Sequence, residues 1–159
     1  MKEIKMKLSA NFSLAEMTKS DTALRLDMDN TPGDEEIANM TALAENVLQK
    51  VRDHFAKGVK VNSGFRHPNV NAAVGGSKTS DHCKGQAADI EIPGVANADL
   101  AQWIVDNCDF RQVILEFYTP GIPDSGWVHV SYVPGDNKKQ VLTAMKENGK
   151  TVYKPGLIA

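Results

Sequence analysis

Cysteine is scarce: Cys83 and Cys108 are the two in 159 residues, and they form no Cys-x-x-Cys pair. That excludes a disulfide framework, and reduced thiols fit folding in a cytosol. No apolar run approaches the roughly 20 residues that a membrane span needs. The N-terminal stretch Met1 to Leu8 carries charge with no apolar segment behind it, so the sequence predicts no secretory leader and synthesis in a cytoplasm. An excess of one charge is also missing. Lys and Arg number 18 against 20 Asp and Glu, a net charge of -2, which gives no sign of a nucleic-acid or polybasic membrane binder. Repeats, low-complexity tracts and linkers are absent. Hydrophobic residues make up 42% and charged residues 24%, enough for one ordinary core. The length predicts a single domain over residues 1–159, with residues 1–30 as an N-terminal arm.

The elements follow from caps and periodicity. Ser13-Leu14-Ala15-Glu16 is a capping box that opens a short helix. Thr31-Pro32 reads as N-cap and first turn of a long helix, with Asp34, Glu35 and Glu36 suited to its positive end. Ile37, Met40, Ala44, Val47, Leu48, Val51 and Phe55 recur at helical spacing, and Gly58 is the expected stop. Strands are expected near residues 59–62, 86–92, 112–117 and 127–133. Short helical segments are expected at 69–74 and after Asn97, read as a cap. Asn148-Gly149 lies between two strand-like stretches and predicts a C-terminal hairpin. The pattern is α+β, with helices packed on a mainly antiparallel β-sheet.

Chemistry concentrates in the stretch from Ser80 to Ile90. It puts His82, the turn residue Gly85 and Asp89 close together ahead of an apolar strand, and His129 follows in Trp127-Val128-His129. Period two puts Asp89 opposite the apolar face of Ala88 and Ile90, and puts His129 opposite Val128 and Val130. If the two strands are neighbours, Asp89 and His129 share a face, and Gly85 lets His82 fold back toward them. Two His and one Asp make a three-ligand zinc set with an open position, which distinguishes a catalytic zinc from a structural one. Zinc so held lowers the pKa of water from about 15.7 toward about 7 and polarises a carbonyl.

Amide hydrolysis also needs a base and an oxyanion partner. Arg66 is the cationic candidate. Glu116, late in the apolar run Val113-Ile114-Leu115, is the first candidate base, with Asp124 in reserve. Plainer readings stand beside these. Arg66 also suits a surface ion pair, Glu116 a solvent-facing strand position, and Trp127 packing. Cys83 reads as a small buried residue, since ligation beside His82 is awkward. His54 reads as structural, near a helix end.

Ser80-x-His82-x-x-Gly85-x-Ala87-x-Asp89-Ile90, with Trp127-Val128-His129 downstream, resembles the zinc D-Ala-D-Ala carboxypeptidases and L-Ala-D-Glu endopeptidases of bacterial cell walls. That group also takes in lysostaphin-type enzymes and the hedgehog signalling domain. Ser63-Gly64-Phe65-Arg66 resembles the segment carrying the family's functional arginine. Residues 12–17 and Gln112-Val113-Ile114-Leu115-Glu116-Phe117 are similar to the single-domain branch of phages and prophages. The resemblance implies His82, Asp89 and His129 as ligands of one Zn2+ per chain. Arg66 would hold the scissile carbonyl oxygen or a substrate carboxylate. Many relatives carry an acidic residue or a His a few positions before the last ligand. Here Gly126 lies three before His129 and Asp124 five before; Glu116 fits the strand motif of the phage branch, so the resemblance implies Glu116 as the base, with Asp124 in reserve. Ser80, Trp127 and His67 are the candidate substrate contacts, although His67 stands where a small polar residue is expected.

The implied function is a monomeric peptidase of the peptidoglycan stem peptide, in the manner of a phage endolysin. It would reach the wall through a holin-type, membrane-permeabilising partner and bind neither nucleic acid nor membrane directly. A carboxypeptidase removing terminal D-Ala is the alternative within the class. A non-catalytic wall-binding or virion tail protein is the alternative outside it.

Overall fold

The computed structural model describes residues 6–159; Met1 to Lys5 of the charged N-terminal stretch lie outside the described residues. A two-stranded ribbon comes first, β1 (Lys7–Ser9) and β2 (Phe12–Ser13). Helix α1 (Leu14–Thr18) follows directly, opened by the expected capping box of Ser13 and Glu16. Then come α2 (Asp21–Arg25) and a long helical rod. The rod runs as α3 (Asp34–Leu43), a π-helical turn (Ala44–Leu48) and α4 (Gln49–Phe55), with right-handed helical backbone across both joints.

The rod begins two residues later than the Thr31-Pro32 reading. Thr31 is not its cap but belongs to a turn closed by Asp29, whose carboxylate accepts from both the backbone N–H and the hydroxyl of Thr31. Gly33 takes that place instead: its carbonyl accepts from Ile37 N–H and its own N–H donates to Glu36 Oε1. The rod also ends before Gly58. Ala56 adopts the left-handed conformation (φ 54°) and returns its N–H to Arg52. His54, read as structural, stacks on Trp103 at 4.5 Å between ring centres.

The main sheet has six strands: β3 (Lys60–Ser63), β4 (Ala87–Glu91), β5 (Gln112–Glu116), β6 (Trp127–Ser131), β7 (Gln140–Glu147) and β8 (Lys150–Pro155). Their order is β3-β4-β6-β5-β7-β8, antiparallel throughout except for the parallel pair β5 and β7. Two helices complete the described chain: α5 (Pro68–Ala73) and α6 (Asn97–Asn107). The sheet is thus mainly antiparallel with helices against it, as the sequence pattern implies.

Alternation assigns the two faces. Ala88, Ile90, Val113, Leu115, Val128 and Val130 point into one core with the rod's stripe and with Leu100, Ala101 and Ile104 of α6. Leu8, Phe12 and Met17 of the N-terminal arm join the same core. Full burial of each such Leu, Ile or Phe is worth about 1.5–3 kcal/mol, so this side fixes the sheet as a stiff platform. The opposite face carries Asp89, His129, Ile114 and Glu116.

Asn97 departs from expectation. Ala96 is the cap residue, and Asn97 opens the helix as a buried side chain. Its Nδ2 reaches Ser125 O at 2.9 Å, Gly126 O at 3.2 Å and Glu91 Oε1 at 3.3 Å. Its N–H also donates to Pro123 O. The asparagine therefore ties down the loop that delivers β6, rather than satisfying its own helix.

Candidate metal centre

His82 is set by local geometry. It sits in a 3-10 turn (Asp81–Lys84) that Ser80 caps, the hydroxyl accepting from His82 N–H. Gly85 ends the turn at φ 72°, and a Cβ there would lie 2.5 Å from Glu36 O of α3. Only glycine fits that combination of positive φ and close approach. The turn is joined to the β3 exit, where Arg66 N–H donates to His82 O and His82 Nδ1 lies 2.7 Å from Gly64 O. A carbonyl only accepts, so Nδ1 carries the proton and Nε2 keeps its lone pair. The Gly64 backbone also packs against Met17 O, where a Cβ would stand at 2.3 Å, so no side chain fits at this position.

Asp89 and His129 are direct cross-strand partners in the β4–β6 pair. Asp89 Oδ1 lies 3.0 Å from His129 Nδ1 and 3.4 Å from His82 Nε2. Among the described residues these three form the one such cluster, with ligand atoms all within 4.8 Å of one another. A tetrahedral ion with bonds of about 2.0–2.1 Å holds its ligand atoms about 3.3 Å apart, close to what is seen. The Gly64 carbonyl behind His82 is the kind of outer partner that fixes a ligating imidazole's tautomer and raises its basicity. The residues fit a zinc ion.

The electrostatics are consistent with a site built for positive charge. Burial alone would raise the Asp89 carboxyl, but the two imidazoles hold it well below the usual carboxylate range. Burial works against a charged His129, yet the Asp89 hydrogen bond and the charges of Asp89, Glu116 and Asp81 raise it on balance. Both shifts arise mainly from the mutual attraction of the carboxylate and the imidazoles that converge here.

Glu116 lies on the same sheet face, two residues along β5 from Ile114, the cross-strand partner of His129. Burial pushes its carboxyl up and the Asp89 charge adds to this, while His129, Trp127 and Arg66 offset part of it. Trp127, its own cross-strand partner, donates Nε1–H to Oε2 at 2.7 Å. Among the described residues Oε1 has no hydrogen-bond partner. Arg66 lines the same cavity of about 360 Å³, and its buried Nε has no hydrogen-bond partner among the described residues.

Ser80 and Trp127 also line this cavity, but Asp124 and His67 do not. Asp124 lines a separate hollow with Lys60 and Glu91. His67 is engaged as the cap of α5, its Nδ1 accepting from Asn69 N–H. Cys83 stands outside the ligand cluster, its thiol raised by burial. Six lining residues were not anticipated: Ser77, Thr79, Asp81, Gln112, Ile114 and Tyr153. Asp81 adjoins His82 in the motif and Gln112 is in phase with Glu116, so both were readable from spacing. Tyr153 lies on β8, and nothing local in the sequence brings it here.

A platform sheet with a His-Asp-His cluster and a desolvated carboxylate beside it has the composition of a metallopeptidase site. The sequence model of the family described as Peptidase M15 matches residues 10–131. The chain belongs to the peptidase M15 family, whose members are zinc-dependent metallopeptidases. No curated protein matches it significantly.

Proposed function

We propose that the chain is a zinc peptidase that hydrolyses an amide bond in the peptide stem of bacterial peptidoglycan, as an endopeptidase of the L-Ala-D-Glu type. One observation carries this reading: Asp89 and His129 share one sheet face with the desolvated Glu116, which lies two residues along β5 from the partner of His129, and the turn bearing His82 closes on the same face. His82, Asp89 and His129 would hold the ion. When bound, zinc supplies the Lewis acidity that makes water acidic near neutral pH and polarises the amide carbonyl. Glu116 Oε1 takes the proton of the attacking water and returns it to the leaving amine. Trp127 holds the other oxygen and fixes the direction of transfer. Arg66 sets a permanent positive charge where negative charge develops on the carbonyl oxygen.

The cavity supports the endopeptidase form. It extends from the Ser77–Ser80 loop across the sheet to Tyr153 of β8, so chain on both sides of an attacked bond has lining residues to meet. The unpartnered Arg66 Nε is the feature that favours the carboxypeptidase form, because a terminal carboxylate would satisfy it. The likeness of residues 112–117 to the phage branch supports a lytic setting, with a monomer reaching the wall through a holin-type partner. No helix among the described residues is long and apolar enough to cross a membrane.

Mass spectrometry of peptidoglycan digested with zinc-loaded protein, beside a chelated sample, tests the reading. New chelator-sensitive amino ends within the stem are expected. Loss of terminal D-Ala alone would establish the carboxypeptidase. No product from any wall type, with zinc bound, would leave a wall-binding or virion role.

Trp127→Phe gives a finer test. Removing the indole donor takes stabilisation from the Glu116 carboxylate, so its pKa rises further. The base must be deprotonated to act, so activity falls away at higher pH than in the wild type. The acid limb of the kcat/KM profile should move upward, with zinc content unchanged; an unmoved limb would contradict the role of this hydrogen bond.

A further inference from the structure

The family match ends at Ser131, the last residue of β6, yet the cavity does not end there. Its far side is formed by Tyr153 of β8, from a hairpin outside the matched residues. The register shows how this arises. Trp127 pairs with Glu116, Glu116 with Ala144 and Ala144 with Tyr153, so four residues from four strands form one row on the site face. An aromatic ring stands at each end, Glu116 lies second, and Ala144 contributes only a methyl group between Glu116 and Tyr153.

We propose that the β7–β8 hairpin is a substrate-binding wall and that Tyr153 contacts the extended stem peptide about three residues from the attacked amide; this rests on the peptidase reading above. The spacing sets the distance. Glu116 and Tyr153 are two strands apart, about 10 Å at the usual strand separation, and an extended peptide covers that in about three residues.

Three observations favour a built wall over an ordinary strand tyrosine. Tyr153 is 56% exposed, so its ring is not consumed by packing. It is the only aromatic residue on the site face of the hairpin, and it is the one that reaches the cavity. The hairpin itself is held firmly. Thr143 Oγ1 donates to Gly156 O at 2.8 Å and accepts from Ile158 N–H at 2.9 Å, and Lys146 lies over the Phe117 ring at 5.6 Å. An exposed ring on a rigid strand binds with little loss of side-chain entropy, and a peptide plane or aliphatic side chain is the surface it suits.

The test compares zinc-loaded wild type, Tyr153→Phe and Tyr153→Ala on purified full-length stem peptides and on stems shortened to two residues after the cut. Tyr153→Ala should raise KM for the full-length stem about tenfold with kcat little changed, and Tyr153→Phe should resemble the wild type. On the shortened stem, all three proteins should be alike, and zinc content should be equal throughout. An unchanged KM for Tyr153→Ala on full-length stems would overturn the wall. If the wild type cuts no stem at all, the peptidase reading fails separately. Equilibrium binding of the same stems to the same zinc-loaded proteins then decides the wall: about tenfold weaker binding by Tyr153→Ala supports it, and equal binding, or none by the wild type, removes it.

Discussion

His129→Ala should leave a folded protein that neither retains zinc nor releases any peptidoglycan product. The imidazole is one of three atoms converging on the site, and its cross-strand partner Asp89 would lose its nearest contact, at 3.0 Å. Even outer partners of a ligating histidine are worth about 10–100-fold in metal affinity, so loss of a ligand itself should exceed 100-fold. Metal content after dialysis against apo buffer is the direct readout, with circular dichroism to show that the sheet survives. His82→Ala should behave alike, although its imidazole is buried and bonded to Gly64 O, so some stability should go with it. A fully active, zinc-retaining His129→Ala protein would end the ligand assignment.

Glu116→Gln separates the base from the metal. The amide preserves shape and can still accept from Trp127 but cannot take a proton. Zinc content should be unchanged, while kcat falls by about 10²–10⁴, the usual worth of a positioned acid–base group. Asp124→Asn should have little effect, because Asp124 lines a different hollow. If Asp124→Asn abolished turnover and Glu116→Gln did not, the roles given to the two carboxylates would be reversed.

Much of this arrangement was legible in the chain because it depends on local rules. Period two alone put Asp89 and His129 on the polar side of their strands, and Gly85 marked the turn that returns His82. The strand adjacency was an assumption there, and the β4–β6 pairing supplies it. What stayed hidden depended on non-local contacts. Asn97 has the residue type of a cap, yet carbonyls from a loop about thirty positions away claim its side chain. Thr31 has the residue type of a cap too, yet it sits in a turn closed by Asp29, and the helix is capped two residues later at Gly33. His67 seemed placed for substrate by its neighbour Arg66, but the next helix uses its ring. Tyr153 could not be placed at all, because β7 crosses to the far side of β5 and runs parallel to it, and no alternation pattern encodes which side a returning strand takes.

That crossing has a further consequence, for solubility. Without β7, the strand bearing Val113, Ile114 and Leu115 would end the sheet. A strand so apolar is a template for pairing with other chains. The edge shown instead is β8, whose Lys150, Lys154 and Pro155 discourage such pairing. The C-terminal hairpin thus covers the apolar β5 edge and puts a charged strand in its place, while leaving the polar face of the sheet open.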